Sequence, residues 1–127
     1  MNNPASYAIE VSVQSRYLED ESAPDRDYYV FAYTVRLQNT GSVGARLVSR
    51  HWVITDGNGE VEEIRGEGVI GQQPLLKPGE SFEYSSGAVL KTDVGSMRGS
   101  YRMEADDGNG FDADIPAFTL SIPRVLH

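Results

Sequence analysis

Large apolar side chains fall on alternate positions over several stretches of this chain, the period-2 signature of half-buried β-strands. In Tyr29-Val30-Phe31-Ala32-Tyr33-Thr34-Val35-Arg36-Leu37 the bulky groups occupy positions 29, 31, 33, 35 and 37, with smaller or polar ones between. Ile9 through Tyr17 alternates in the same way through Val11 and Val13, and a third run, Ala45 to Thr55, carries the single tryptophan, Trp52. Further strands are expected over Glu60–Arg65, over Gly79–Gly87 with Phe82 and Tyr84 on one face, over Gly95–Ala105 with Met97, Tyr101 and Met103 on one face, and over Phe111–Ile122. With about seven short strands and no helical stripe, the pattern predicts an all-β fold, a β-sandwich, in a single domain spanning residues 1–127.

The breaks between these runs are chemically marked. Asn39-Thr40-Gly41-Ser42 ends the second run, because Asn and Gly tolerate positive φ. Asp56-Gly57-Asn58-Gly59 recurs letter for letter at Asp107-Gly108-Asn109-Gly110, each copy placed for a hairpin turn. Residues 18–27 form the most polar loop. Pro116 lacks a ladder donor, so it should bend or interrupt the last strand or place it at an edge. One conflict stands out in the third run: Arg50 shares the parity of Trp52. A guanidinium facing a core needs a partner, so either an ion pair or a β-bulge that shifts the register is expected there.

Composition narrows the chemistry. Eleven basic residues against nineteen acidic give a net charge of −8, a field that repels nucleic acid; Arg46, Arg50, Arg98 and Arg102 read as solvated strand positions. Cysteine is absent, which excludes disulfides, thiolate metal sites and a cysteine nucleophile. Met1-Asn2-Asn3-Pro4 has neither the basic stretch nor the apolar run of a signal peptide, and no apolar run approaches the ~20 residues of a membrane helix. A soluble, cytoplasmic protein without membrane contact is expected.

Residues 66–71, Gly66-Glu67-Gly68-Val69-Ile70-Gly71, match G-x-G-x-x-G. A dinucleotide fingerprint needs a helix opening on its glycines, and Pro74 and Pro78 forbid one here. A weaker version survives: exposed glycine amides form an anion-binding nest, with Arg65 and Lys77 flanking it as phosphate contacts. Against it stands a simple turn, and Glu67 sits in its middle. Metal sites find little support. The only imidazoles are His51 and His127, and the oxygen-rich stretches Asp56–Glu67 and Asp106–Asp114 read as turns with solvated charges. No catalytic constellation emerges: Glu62 and Glu63 point to opposite faces of a strand, and His51 reads as a structural strand residue. No cofactor is expected.

Several stretches, taken together and in order, resemble the ApaG family: Ser49-Arg50-His51-Trp52-Val53-Ile54-Thr55-Asp56, Val61-Glu62-Glu63-Ile64-Arg65-Gly66 through Gly71-Gln72-Gln73-Pro74, Leu76-Lys77-Pro78-Gly79-Glu80-Ser81-Phe82, Gly95-Ser96-Met97-Arg98-Gly99-Ser100-Tyr101 and Ile115-Pro116-Ala117-Phe118. The resemblance implies a fibronectin type III-like or immunoglobulin-like sandwich in a bacterial cytoplasmic protein. It also implies a phosphate-binding role for Gly66, Gly68 and Gly71, an association with a diadenosine tetraphosphate hydrolase neighbourhood and with cobalt and magnesium tolerance, and kinship with interaction modules in larger eukaryotic proteins. Two functions follow. The first is a non-enzymatic protein–protein interaction module working through exposed strand edges, with homodimerisation among the assemblies such edges permit. The second is nucleotide or pyrophosphate binding at Gly66–Gly71.

Overall fold

The computed structural model of the protein describes residues 6–123, so Met1-Asn2-Asn3-Pro4 and His127 lie outside it. Its strands are β1 (Ile9–Tyr17), β2 (Tyr29–Asn39), β3 (Ala45–Asp56), β4 (Val61–Glu67), β5 (Leu75–Leu76), β6 (Ser81–Leu90), β7 (Val94–Ala105) and β8 (Gly110–Ser121). They form two antiparallel sheets, β1-β2-β6 and β4-β3-β7-β8, with β5 paired to the end of β3. This is the expected β-sandwich, with one strand more than the sequence pattern gave. The polar 18–27 loop holds two short 3₁₀ turns, Glu19–Glu21 and Pro24–Arg26. Among the described residues no helix is long and apolar enough to cross a membrane.

The core lies between the sheets and centres on Trp52, which meets Tyr33, Tyr101 and Phe118 edge-on at ring-centroid distances of 5.4, 6.3 and 6.0 Å. These three partners come from β2, β7 and β8, so one side chain joins both sheets. Each such pair adds about 0.5–1.5 kcal/mol beyond area burial. The seam where β1 lies along β8 is closed: Ser15 Oγ donates to the Thr119 carbonyl at 3.0 Å, and Tyr7 stacks on Phe111.

Both irregularities expected from the sequence are present. The β3–β7 register shifts between Leu47 and Ser49, so Val48 is a bulge that moves the core-facing parity from Ala45 and Leu47 to Trp52 and Ile54. In β8, Ile115 pairs with Gly99 but Phe118 pairs with Met97, which leaves Pro116 and Ala117 against a single β7 position, on an edge strand. The repeated Asp-Gly-Asn-Gly closes two hairpins in different phases. Gly59 takes the left-handed position in the first and Gly108 in the second, at φ 83° and 89°.

Asn39 is the one buried polar side chain of the described residues, 1% exposed. Its Nδ2 donates to the Val43 and Leu76 carbonyls, both at 2.9 Å, and its Oδ1 accepts from the Gly41 amide at 2.9 Å. The Gly41–Gly44 string is thus a loop fastened by a buried amide. Asn39→Ala would leave two carbonyls and an amide short of partners; urea unfolding followed by Trp52 fluorescence should show a loss of about 3 kcal/mol.

Between the sheets the Tyr84 and Tyr101 hydroxyls are 2.5 Å apart. Burial pushes the Tyr84 phenol up to about 12 and raises those of Tyr101 and Tyr33 as well. These phenols sit above the unfolded value near 10, so the stability they contribute is complete below pH 10 and is lost as pH climbs towards 12. An alkaline titration should therefore show tyrosinate absorbance rising in two phases, with the second coincident with loss of Trp52 packing. A single phase completed in a folded protein would contradict this burial.

Candidate functional site

The glycine motif is a hairpin tip. Gly66 lies inside β4, opposite Arg50, and not in a loop as the sequence suggested. The chain then turns at Ile70 and Gly71, at φ 43° and 77°. Val69 and Gln72 exchange amide-to-carbonyl bonds of 2.8 and 2.9 Å, so this is a two-residue hairpin loop of the type whose central residues both have positive φ. The Gly68 amide donates to the Val48 carbonyl at 2.8 Å. Three amides of the motif region are therefore committed to backbone partners.

Gly66 accommodates a side chain of the protein itself, whereas Gly68 makes room for the Gln72 backbone. A Cβ on Gly66 would meet the Arg50 guanidinium at 2.7 Å, and Arg50 Nη1 donates to the carbonyls of Glu67 and Gly68 at 3.0 and 2.8 Å. The core-facing arginine is thus satisfied by a partner and not by the bulge, since Val48 precedes Arg50 and leaves it on the parity of Trp52, and that partner is a pair of carbonyls rather than a carboxylate. Arg65 and Lys77 do not flank one loop. Arg65 stands opposite His51, while Lys77 follows Leu76, which pairs with Ala45; six residues of β3 place their backbones roughly 20 Å apart. Arg65 lies 3.6 Å from Glu63, and the Lys77 amide donates to Glu80 Oε1 at 2.8 Å.

The outer face of the larger sheet carries His51, whose Nε2 is 2.7 Å from Glu63 Oε1. That hydrogen bond holds the Glu63 carboxyl below the usual carboxylate range. Ser100 is the cross-strand neighbour of His51 on β7, yet among the described residues no side-chain hydrogen bond joins them, and the pair lies on an open sheet surface. Glu62 faces the other side of β4, as its parity requires. Among the described residues no three His, Asp or Glu side chains converge on a metal position. Asp56 Oδ1 instead accepts the Asn58 and Glu60 amides of its own turn, at 2.8 and 3.0 Å, and Asp107 accepts from Tyr7 Oη and from the Asn109 amide.

The side of the sandwich opposite the β1–β8 seam is open. Three strands face four: β1 runs along β8, Tyr84 of β6 reaches Tyr101 of β7, and β4 overhangs beyond β6. The second edge of β6 pairs with no strand among the described residues. Ser85, Ser86 and Gly87 are all exposed although successive side chains alternate between faces, as an uncovered edge requires. The edges of β4, β8 and β1 each carry a protection. β4 has four charges in seven residues, β8 has a proline and a bulge, and β1 lies against β8. β6 has ten residues with one charge, Glu83, and no proline.

A family model described as the ApaG domain matches residues 19–105. The chain is 61% identical to Protein ApaG of Azoarcus sp. (strain BH72) over the full length of both, and 61% identical to Protein ApaG of Thiobacillus denitrificans over 95% of each. This chain belongs to the ApaG family. A crystal structure of the putative ApaA protein from Bordetella pertussis superposes with a TM-score of 0.91 at 53% identity, covering 94% of this chain and 97% of that one.

Three of the five segments that carry the ApaG resemblance contain or adjoin structural irregularities. Ser49–Asp56 is the part of β3 beyond the bulge, Val61–Pro74 is β4 with its hairpin tip, and Ile115–Phe118 is the β8 bulge. The β6 edge escaped the sequence reading because Gly87 looked like a strand end, although Ala88 and Leu90 continue the alternation into the core.

Opposite signs are expected for two substitutions in the ApaG glycine motif. In Gly68→Ala the new Cβ would lie 2.2 Å from the Gln72 carbonyl oxygen at φ 61°, a loss of about 2 kcal/mol or more. Ile70→Asn relieves a β-branched residue at positive φ and should gain about 0.5–1 kcal/mol. Thermal unfolding of both variants checks the pair.

Proposed function

We propose that the protein is a non-enzymatic protein-binding module that takes up an extended segment of another protein as a fourth strand beside β6. The observation that carries this reading is the three-on-four mismatch of the sheets at an edge without protection. A free edge offers a ladder of amides and carbonyls to an incoming strand, and main-chain hydrogen bonds give such strand addition its affinity. Nucleotide or pyrophosphate binding at Gly66–Gly71 has weaker support: Gly68, Val69 and Gln72 amides already have partners, Arg50 occupies the space over Gly66, and Arg65 and Lys77 are far apart. Saturable amide shifts at Gly66–Gly71 on adding pyrophosphate would favour that alternative.

In-cell photocrosslinking from Ser85 and Val89, with Thr119 as control, tests the edge. Discrete adducts are expected from β6 only. Along an edge strand successive amides point alternately into the sheet and out of it, so of Ser85→Pro and Ser86→Pro one breaks the β2 ladder and the other removes only an outward donor. The variant that stays folded should lose the adducts. If it keeps them, strand addition at β6 is wrong.

A further inference from the structure

From the side chains that border the open seam we infer the chemistry of the incoming strand: a basic segment carrying a cationic side chain and an aliphatic one two residues apart, both facing inward. The inference rests on strand addition at β6. A strand placed there lies over β4, and its inward side chains meet the core-facing side of β4. Cross-strand partners share a face, so the pairings Glu62–Ile54, Ile64–Trp52 and Gly66–Arg50 put Glu62, Ile64 and Gly66 on that side. Glu62 is exposed and Ile64 is 37% exposed. The Arg50 guanidinium already covers Gly66. The surface left to a partner is thus a carboxylate followed by an aliphatic group, at the two-residue spacing of one strand face.

The end of the seam next to Glu62 is a cleft of about 270 Å³, with Ile54, Val89 and Leu90 as aliphatic walls and Asp56, Glu60 and Glu62 as its carboxylates. Among the described residues Lys91 is the one cation lining it. Neither Glu60 nor Glu62 takes part in an ion pair among the described residues. A lysine or arginine matches this cleft: its methylene stem packs on the aliphatic walls while its charge meets the carboxylates. The net charge of −8 steers a basic segment towards the protein. The same charge opposes a second copy of this chain, which would bring its own Glu62 and Glu60 up to the seam.

The test uses the full chain and three capped nonapeptides that read the same in both directions. In the first, threonine alternates with lysine, leucine, leucine and lysine. The second has glutamate for lysine, and the third has serine for leucine. Amide NMR and hydrogen exchange should show that the lysine–leucine peptide protects Ser81–Leu90 and shifts Glu62 and Ile64, with at least tenfold weaker binding of the other two. In Glu62→Lys, an exposed change checked for folding by Trp52 fluorescence, the preference should reverse, with the glutamate–leucine peptide now the better ligand by about tenfold.

Protection of β6 by the glutamate peptide equal to that by the lysine peptide would overturn the charge assignment and leave strand addition standing. Equal binding of the serine peptide would overturn the aliphatic position. Sedimentation showing a concentration-dependent dimer with β6 protected would make a second copy the occupant and overturn the inference. If β6 crosslinks in cells and none of the peptides protects it, the partner chemistry fails alone; if β6 neither crosslinks nor is protected, strand addition fails with it.

Discussion

A guanidinium on the core-facing side of a strand is the constraint around which one end of this sandwich is built. Arg50 has the parity of Trp52, and the desolvation cost of an unpaired charge between two sheets would be prohibitive. Its stem therefore runs to the edge, where the head lies across β4 and donates to the Glu67 and Gly68 carbonyls. Three features follow from that placement. Position 66 must lack a side chain, because the guanidinium occupies its place. The turn after β4 must present two carbonyls towards β3. The bulge at Val48 must supply the change of register that separates Ala45 and Leu47 from Trp52, and its carbonyl in turn accepts the Gly68 amide and Gln73 Nε2. The same positive charge faces the Tyr33, Tyr84 and Tyr101 hydroxyls and opposes the upward push that burial exerts on them. A motif that resembles a phosphate cradle is, in this fold, a seat for one of the protein's own cations.

Much of this was legible in the sequence, and the rest was not for identifiable reasons. Alternation alone delimits β1 at Ile9 and Tyr17, the observed bounds, because each residue there either faces the core or does not. Parity alone exposed the conflict at Arg50. The β5 strand was missed since two residues, Leu75 and Leu76, have no period, and it exists only because β3 extends beyond β4 and Asn39 holds the Leu76 carbonyl. Gly66 and Gly87 both read as strand ends in the sequence, yet both are inside strands: backbone permissiveness is a local property, but whether it is used for a turn or for close approach depends on a residue from another strand. The open seam lies further still from what a sequence displays, because strand order is set by long-range pairing.

The two seams show how differently the same architecture treats its edges. Where β1 meets β8, a serine, a proline bulge and stacked aromatic rings leave little backbone free. Where β6 faces the overhanging β4, charge protects only β4, and β6 keeps a ten-residue edge without a strand partner among the described residues. Recognition by that edge alone would be indiscriminate, since every extended chain carries the same amides. In strand addition at β6 the side chains of β4 would supply the discrimination from the opposite sheet, so affinity and selectivity would reside on different elements.

The position of the closed seam has one more consequence. β1 is the first strand and β8 the last, and they lie side by side on the face of the molecule farthest from β6. Polypeptide attached ahead of Ile9 or after Ser121 would leave from that side. A fold arranged this way can be spliced into a longer chain, at either end or in its middle, with its unpaired β6 edge pointing away from its host.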